Sequence, residues 1–165
     1  MSLNLTTNFG GIGMKAFKIL ALCLLFVFLL AGSVYSSDQF IEFIKIFDNV
    51  TVSAGSYVDS SIIRLDGTRP DGYFVFCPEV SATGDPTLKF ELLISYTDTN
   101  DSSFIEPTGV SDIATGFTKT SGSGSNGKDC FSVDFNGIFG KYFKIRATET
   151  GGADDATLTG YLGRQ

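Results

Sequence analysis

The chain has 165 residues, with 12 basic and 18 acidic side chains, 16 Phe and 6 Tyr, and neither Trp nor His. That length supports one domain with a real core. Without His, the usual general base, a common metal ligand and the usual partner of a nucleophilic Ser or Cys are all missing. The net charge of −6 argues against nucleic acid and anionic membrane as partners, since both need basic patches.

The first 36 residues differ from the rest. Lys15 and Lys18 are their only charged side chains, and Ile19 to Ala31 is an unbroken apolar run of 13 residues. A spanning helix needs about 20. A basic start, a short apolar helix and a small-residue end predict a secretory signal peptide over 1–36. Val34 and Ser36 then take the −3 and −1 positions, with cleavage after Ser36. Met14 reads as the true start, which makes residues 1–13 a mis-called extension. An uncleaved anchor is the alternative; a pilin-type leader fits less well, because "GIGMKAF" has glycines before the apolar run but no Glu five residues into the chain such a leader would leave. Cleavage leaves 10 basic against 18 acidic side chains, a net charge of −8, and a chain expected to leave the membrane.

After residue 40 the pattern has period two, broken by turn residues. Phe40–Val52 starts apolar on nearly both faces: Phe40, Ile44 and Ile46 fall on one, Ile41, Phe43 and Phe47 on the other. Tyr57–Leu65 alternates loosely, and Tyr73–Val80 reads as a buried strand at whose end Pro78 stands. Thr87–Thr97 puts Leu88, Phe90, Leu92 and Ile94 on one face, Lys89, Glu91 and Ser95 on the other. Two edge-like pieces follow at 104–107 and 111–118. Then Phe131, Val133 and Phe135 share a face; Phe143, Ile145 and Ala147 face in with Lys144 and Arg146 out; Leu158, Gly160 and Leu162 close the chain. Short strands joined by Gly-rich turns, with no helical period between them, predict an all-β, antiparallel β-sandwich, Ig-like or jelly-roll-like. Its span is 48–165, with 37–47 as an N-terminal apolar strand ahead of it.

Gly122–Asp129, "GSGSNGKD", comes within one residue of a phosphate-binding loop. Such a loop must lead from a strand into a helix, whose amides hold the phosphate. Here a strand follows, and Asp129 stands where the magnesium-binding hydroxyl belongs, so the glycines are expected in a flexible hairpin connection. The segment 150–156 is expected as a second hairpin loop. Asp98, Asn100 and Asp101 offer oxygen ligands for calcium, but without the EF-hand order they read as a solvated turn; Asp154 and Asp155 offer less. None of the 18 acidic residues lies in an obvious buried setting of the kind that raises the pKa of a glycosidase acid. Cys77 and Cys130 have no His to activate them. In an exported chain this pair is expected as one disulfide, with two buried free thiols as the alternative.

The blocks "FDNVTVSAG", "GDPTLKFELLISYTDTNDSSFIEP", "SDIATGFT", "GKD" and "KYFKIRATETGGADDATLTGYL" resemble a family of small all-β proteins encoded among phage structural genes and in bacterial genomes. They cover roughly residues 46–163, and "KIRATETGGADDATLT" is the most distinctive. The resemblance implies a β-sandwich used in assembly or surface display, and supplies no catalytic residues. The chain departs from that family in its signal peptide and cysteine pair, which suit an exported cell-surface subunit better than a particle assembled in the cytoplasm.

The expected function is therefore an exported, non-enzymatic structural or adhesive subunit, secreted or at the cell surface, without cofactor or metal. It is expected to form homo-oligomers or polymers such as a filament. Phe40, Ile41, Phe43, Ile44, Ile46 and Phe47 would join subunits, because a strand apolar on both faces needs cover on both. The other reading of this stretch is the sandwich's own first strand. The alternative function is a carbohydrate-binding module, with Tyr57, Tyr73, Tyr96, Tyr142 and Tyr161 available to stack on a glycan.

Overall fold

A computed structural model describes residues 42–65, 74–135 and 140–164, all within the compact unit Phe40–Gln165. The expected signal helix, its cleavage site, Phe40, Ile41 and Tyr73 lie outside the described residues. The strands are β1 (Glu42–Val52), β2 (Tyr57–Asp59), β3 (Ile63–Arg64), β4 (Phe74–Ser81), β5 (Leu88–Ser95), β6 (Ala114–Phe117), β7 (Phe131–Val133), β8 (Tyr142–Glu149) and β9 (Ala156–Arg164), with one 3-10 turn at Asp101–Ser103.

All pairings between these strands are antiparallel. One sheet runs β1-β9-β4-β7, the other β2-β8-β5-β6 with β3 also on β8. β2 pairs with Arg146–Thr148 and β3 with Tyr142–Phe143, so they are two halves of one interrupted strand. Successive strands then change sheets at every step except β5 to β6. That is the order of a jelly roll, and it decides between the two sandwich types that strand patterning leaves open.

The alternation of β4 and β5 fills the space between the sheets. Phe76, Leu88, Phe90, Ile94, Phe143, Ile145, Leu158 and Leu162 are fully buried, each large side chain contributing about 1.5–3 kcal/mol. Phenylalanine rings run through the core edge to face: Phe47 on Phe76, Phe76 on Phe90, Phe90 on Phe117 and Phe117 on Phe131, with centroids 5.1–6.1 Å apart. Gly160 makes room for them. A Cβ there would stand 2.8 Å from Phe47 and 3.0 Å from Phe76.

β4 continues past Pro78 to Ser81, although proline is rare in a central strand. Its carbonyl accepts the Asp129 N–H, so Pro78 turns its backbone toward β7. The β7 ladder has already ended, at Phe76–Phe131, and the missing N–H breaks no bond of that ladder.

In three places the structure differs from the sequence expectation. Phe43 and Phe47 do not share a face. The register against β9 slips between Lys45 and Phe47 and again between Phe47 and Val50, and Asn49 takes a positive φ of 52°. The first bulge inserts one residue, so Ile46 and Phe47 are both buried while Phe43 stays out. Neither Gly-rich connection is a hairpin: β6 and β8 lie in one sheet, and the strands that follow them, β7 and β9, lie in the other. Lys144 faces outward from its sheet, yet its side chain is only 2% exposed, because Phe104 covers it with the ring 4.6 Å from Nζ.

Candidate functional sites on the sandwich surface

The loop that mimics a phosphate site is held by its own backbone. Gly127 N–H donates to the Ser121 carbonyl, Val80 N–H to the Gly127 carbonyl, and Ser125 N–H to the Gly122 carbonyl. Gly127 has φ 71°, and a Cβ there would stand 2.3 Å from the Val80 carbonyl oxygen. The glycines serve a tight crossing against β4, which corrects the expected flexible hairpin. Lys128 pairs with Glu79 at 3.0 Å, and no helix follows. Cys77 and Cys130 form a disulfide with Cα atoms 4.1 Å apart. It ties the outward face of β4 to the end of this loop, and a bond of this kind suits an oxidising compartment.

The ionic groups of the outer face of β8 are engaged with one another. Lys144 Nζ lies 2.6 Å from Asp59 and 3.1 Å from Asp101. Arg146 grips Asp59 through Nε and a terminal nitrogen at 2.7 and 3.0 Å, and its guanidinium sits 3.9 Å over the Tyr57 ring. Burial pushes the Asp59 carboxyl up, but bonds from Arg146 and Lys144 outweigh it and hold the pKa below its ordinary value. Burial likewise lowers Lys144, and its two carboxylate partners raise it above the ordinary ammonium value. Asp101 therefore serves Lys144, and Asp98 accepts the Asn100 N–H within its own turn, so the residues expected as a solvated turn are divided between two structural roles.

At one end of the sandwich, carboxylates knit three loops together, a role that sequence reading missed. Glu149 is 1% exposed. One carboxylate oxygen accepts N–H bonds from Thr87 and Gly151, the other from Gly55 and Gly152, at 2.7–3.1 Å. Burial raises its pKa, but the four backbone donors prevail and lower it. Asp154 accepts the Asp85 N–H and Asp155 the Ala54 N–H, both at 2.9 Å. The β1–β2, β4–β5 and β8–β9 connections are thus pinned by the acid that ends β8 and by two acids of the connection that follows it. The only available sequence signal was the density of Gly and Asp at 151–155.

Two further features carry polar chemistry. Oxygens of Glu91, Glu106 and Asp112 lie within 4.8 Å of one another, but Glu91 is held by Lys89 at 2.6 Å and by the Thr148 hydroxyl at 3.0 Å. A shallow hollow of about 250 Å³ is lined by Gly109, Ser111, Asp112, Ile113, Ser132 and Asp134. Tyr57 lies under Arg146, Tyr142 near Lys141 and Tyr161 near Lys45, while Tyr96 is exposed.

Of the six residues expected to join subunits, Ile46 and Phe47 are core and Ile44 packs against the core. Their apolarity is accounted for within the domain, as the first strand of its own sandwich. Phe43 differs. It pairs with Gly163 on the outer face of the β1-β9-β4-β7 sheet and is 52% exposed.

No family model matches the chain, and no curated protein matches it. Among solved structures it is similar to the VP2 subviral particle of infectious bursal disease virus, at 14% identity and a TM-score of 0.49, over 78% of this chain and 33% of that one. It is also similar to the Gt strain of the same virus, at 15% identity and a TM-score of 0.44, over 78% and 32%. The chain spans about a third of the length of those viral chains.

Proposed function

We propose that this chain is an exported, non-enzymatic structural or adhesive subunit of a cell-surface or extracellular assembly. The observation that carries the reading is the outer end of β1, which among the described residues pairs with β9 alone. It is an edge strand of 11 residues that presents Phe43 to solvent, and an exposed edge with a large apolar side chain is a template for another chain. The disulfide supports export, and the resemblance to phage structural genes supports assembly.

Sedimentation velocity and electron microscopy of the mature protein test this. Association into dimers or larger particles is expected, from a chain whose intact mass begins near Ser37. A monomer at high concentration that binds sugars on a glycan array would overturn it in favour of a carbohydrate-binding module.

A further inference from the structure

We propose that Asn100 is an acceptor for an N-linked glycan, transferred in the cell envelope by an oligosaccharyltransferase of the bacterial kind. This rests on the export proposed above and adds a modification to the exported chain.

Three stretches have the Asn-x-Ser/Thr pattern of such acceptors: Asn4-Leu5-Thr6, Asn49-Val50-Thr51 and Asn100-Asp101-Ser102. The first lies outside the described residues, and the other two are placed differently. Asn49 is exposed, but the fold itself asks for it. At φ 52° asparagine is one of the few residues that tolerate the left-handed region. Asn49 also stands inside β1, between Phe47 and Val50, which both pair with β9, so an enzyme reaches it in the folded chain only by opening that ladder. Asn100 is held by neither constraint. Its φ of −70° and ψ of 139° suit any residue, and although it heads the Asp101–Ser103 turn its side chain makes no capping bond. The Asp98 carboxyl is held below its ordinary pKa by the Ser103 side chain and the Asn100 N–H, and the Asn100 carboxamide adds least.

Access and chemistry both favour this turn. Asn100 and Ser102 are exposed. Its backbone bonds are the Ser103 N–H to the Asn100 carbonyl at 2.9 Å and the Phe104 N–H to the Asp101 carbonyl at 3.2 Å, and so short a segment opens locally far more easily than a strand ladder. Asp98 stands two residues ahead, which makes the stretch Asp-x-Asn-x-Ser. An acid at that position is what bacterial oligosaccharyltransferases add to the Asn-x-Ser/Thr requirement; Asn4 and Asn49 have Ser2 and Phe47 there. The donor is an oligosaccharide linked to a lipid pyrophosphate. Asn100 Nδ2 bonds to C1 of its first sugar, the bond from C1 to the pyrophosphate oxygen breaks, the lipid pyrophosphate leaves, and the amide gives up one proton. Asp101 and Phe104 hold the turn over Lys144, on the outer face of the β2-β8-β5-β6 sheet. A glycan there leaves the β1 edge of the other sheet uncovered, so it is compatible with assembly through that edge.

The full chain, with its own N-terminal segment, is produced in a bacterium that carries such an oligosaccharyltransferase and its lipid-linked glycan. The exported fraction should gain the mass of one glycan, and peptide mapping should place it on Asn100 with Asn49 bare. Asn100→Gln and Ser102→Ala should each abolish the gain and keep the thermal midpoint of the parent, while Thr51→Val should leave the gain unchanged. An exported, processed chain without glycan, with it on Asn49 instead, or still carrying it in Ser102→Ala would overturn this site and leave export standing. A chain that stays inside the cell with residues 1–36 intact would remove both.

Discussion

Replacing Glu149 by Gln changes one oxygen of a buried carboxylate into an NH2 group. Whichever way the amide turns, two backbone N–H donors then face a donor: Thr87 with Gly151, or Gly55 with Gly152. A hydrogen bond to a charged group contributes about 1.5–3 kcal/mol. Two are lost and two are weakened, and the loop ends recover some of this from water, so the expected cost is about 3 kcal/mol. For a domain of this size that is a fall of about 10 °C in thermal midpoint, read by circular dichroism at pH 7. Because the folded-state pKa of Glu149 lies below its ordinary 4.5, its contribution is complete above that value and fades as pH falls through the folded one. Parent and variant midpoints should therefore converge below pH of about 4.5. A gap under about 1 °C at pH 7, or one that stays constant down to pH 3, would refute the idea that this carboxylate pins the loops.

Gly160→Ala should cost about 1–3 kcal/mol in urea unfolding by driving a methyl group into Phe47 and Phe76; an unchanged midpoint would mean that the rings yield freely. Lys144→Met keeps the packed stem but unpairs Asp101 and half of Asp59, and should cost about 1–2 kcal/mol, less than full loss of a buried pair because Arg146 stays on Asp59; equal stability of the two proteins would count against the network. Reducing Cys77–Cys130, which lie 53 residues apart, should lower stability by about 4 kcal/mol on the chain-entropy account. Thiol labelling of the unreduced, unfolded protein should meanwhile find no reactive group on either cysteine, and two labelled thiols would contradict the bridge.

Much of the architecture is legible in the residues themselves. Side chains of a strand alternate without fail while the ladder is regular, so Leu88, Phe90, Leu92 and Ile94 declare their burial, as do Phe143, Ile145 and Ala147. The cysteine pair was legible for a different reason: two thiols in a chain expected to be exported have few other uses. What tertiary structure alone decided is everything that depends on which strand lies beside which. Strand patterning is the same in an Ig-like sandwich and a jelly roll, because both bury alternate residues; only the pairing of β1 with β9 and of β4 with β9 separates them. The bulge that sends Phe47 inward and leaves Phe43 in solvent is one inserted residue, invisible to a period-two reading. Lys144 and Glu149 look like surface charges in the sequence, since nothing local shows that Phe104 covers the first and that three loops bring their amides to the second. Burial of a charge is decided by partners distant in the chain, and those partners meet only when the sheets have closed.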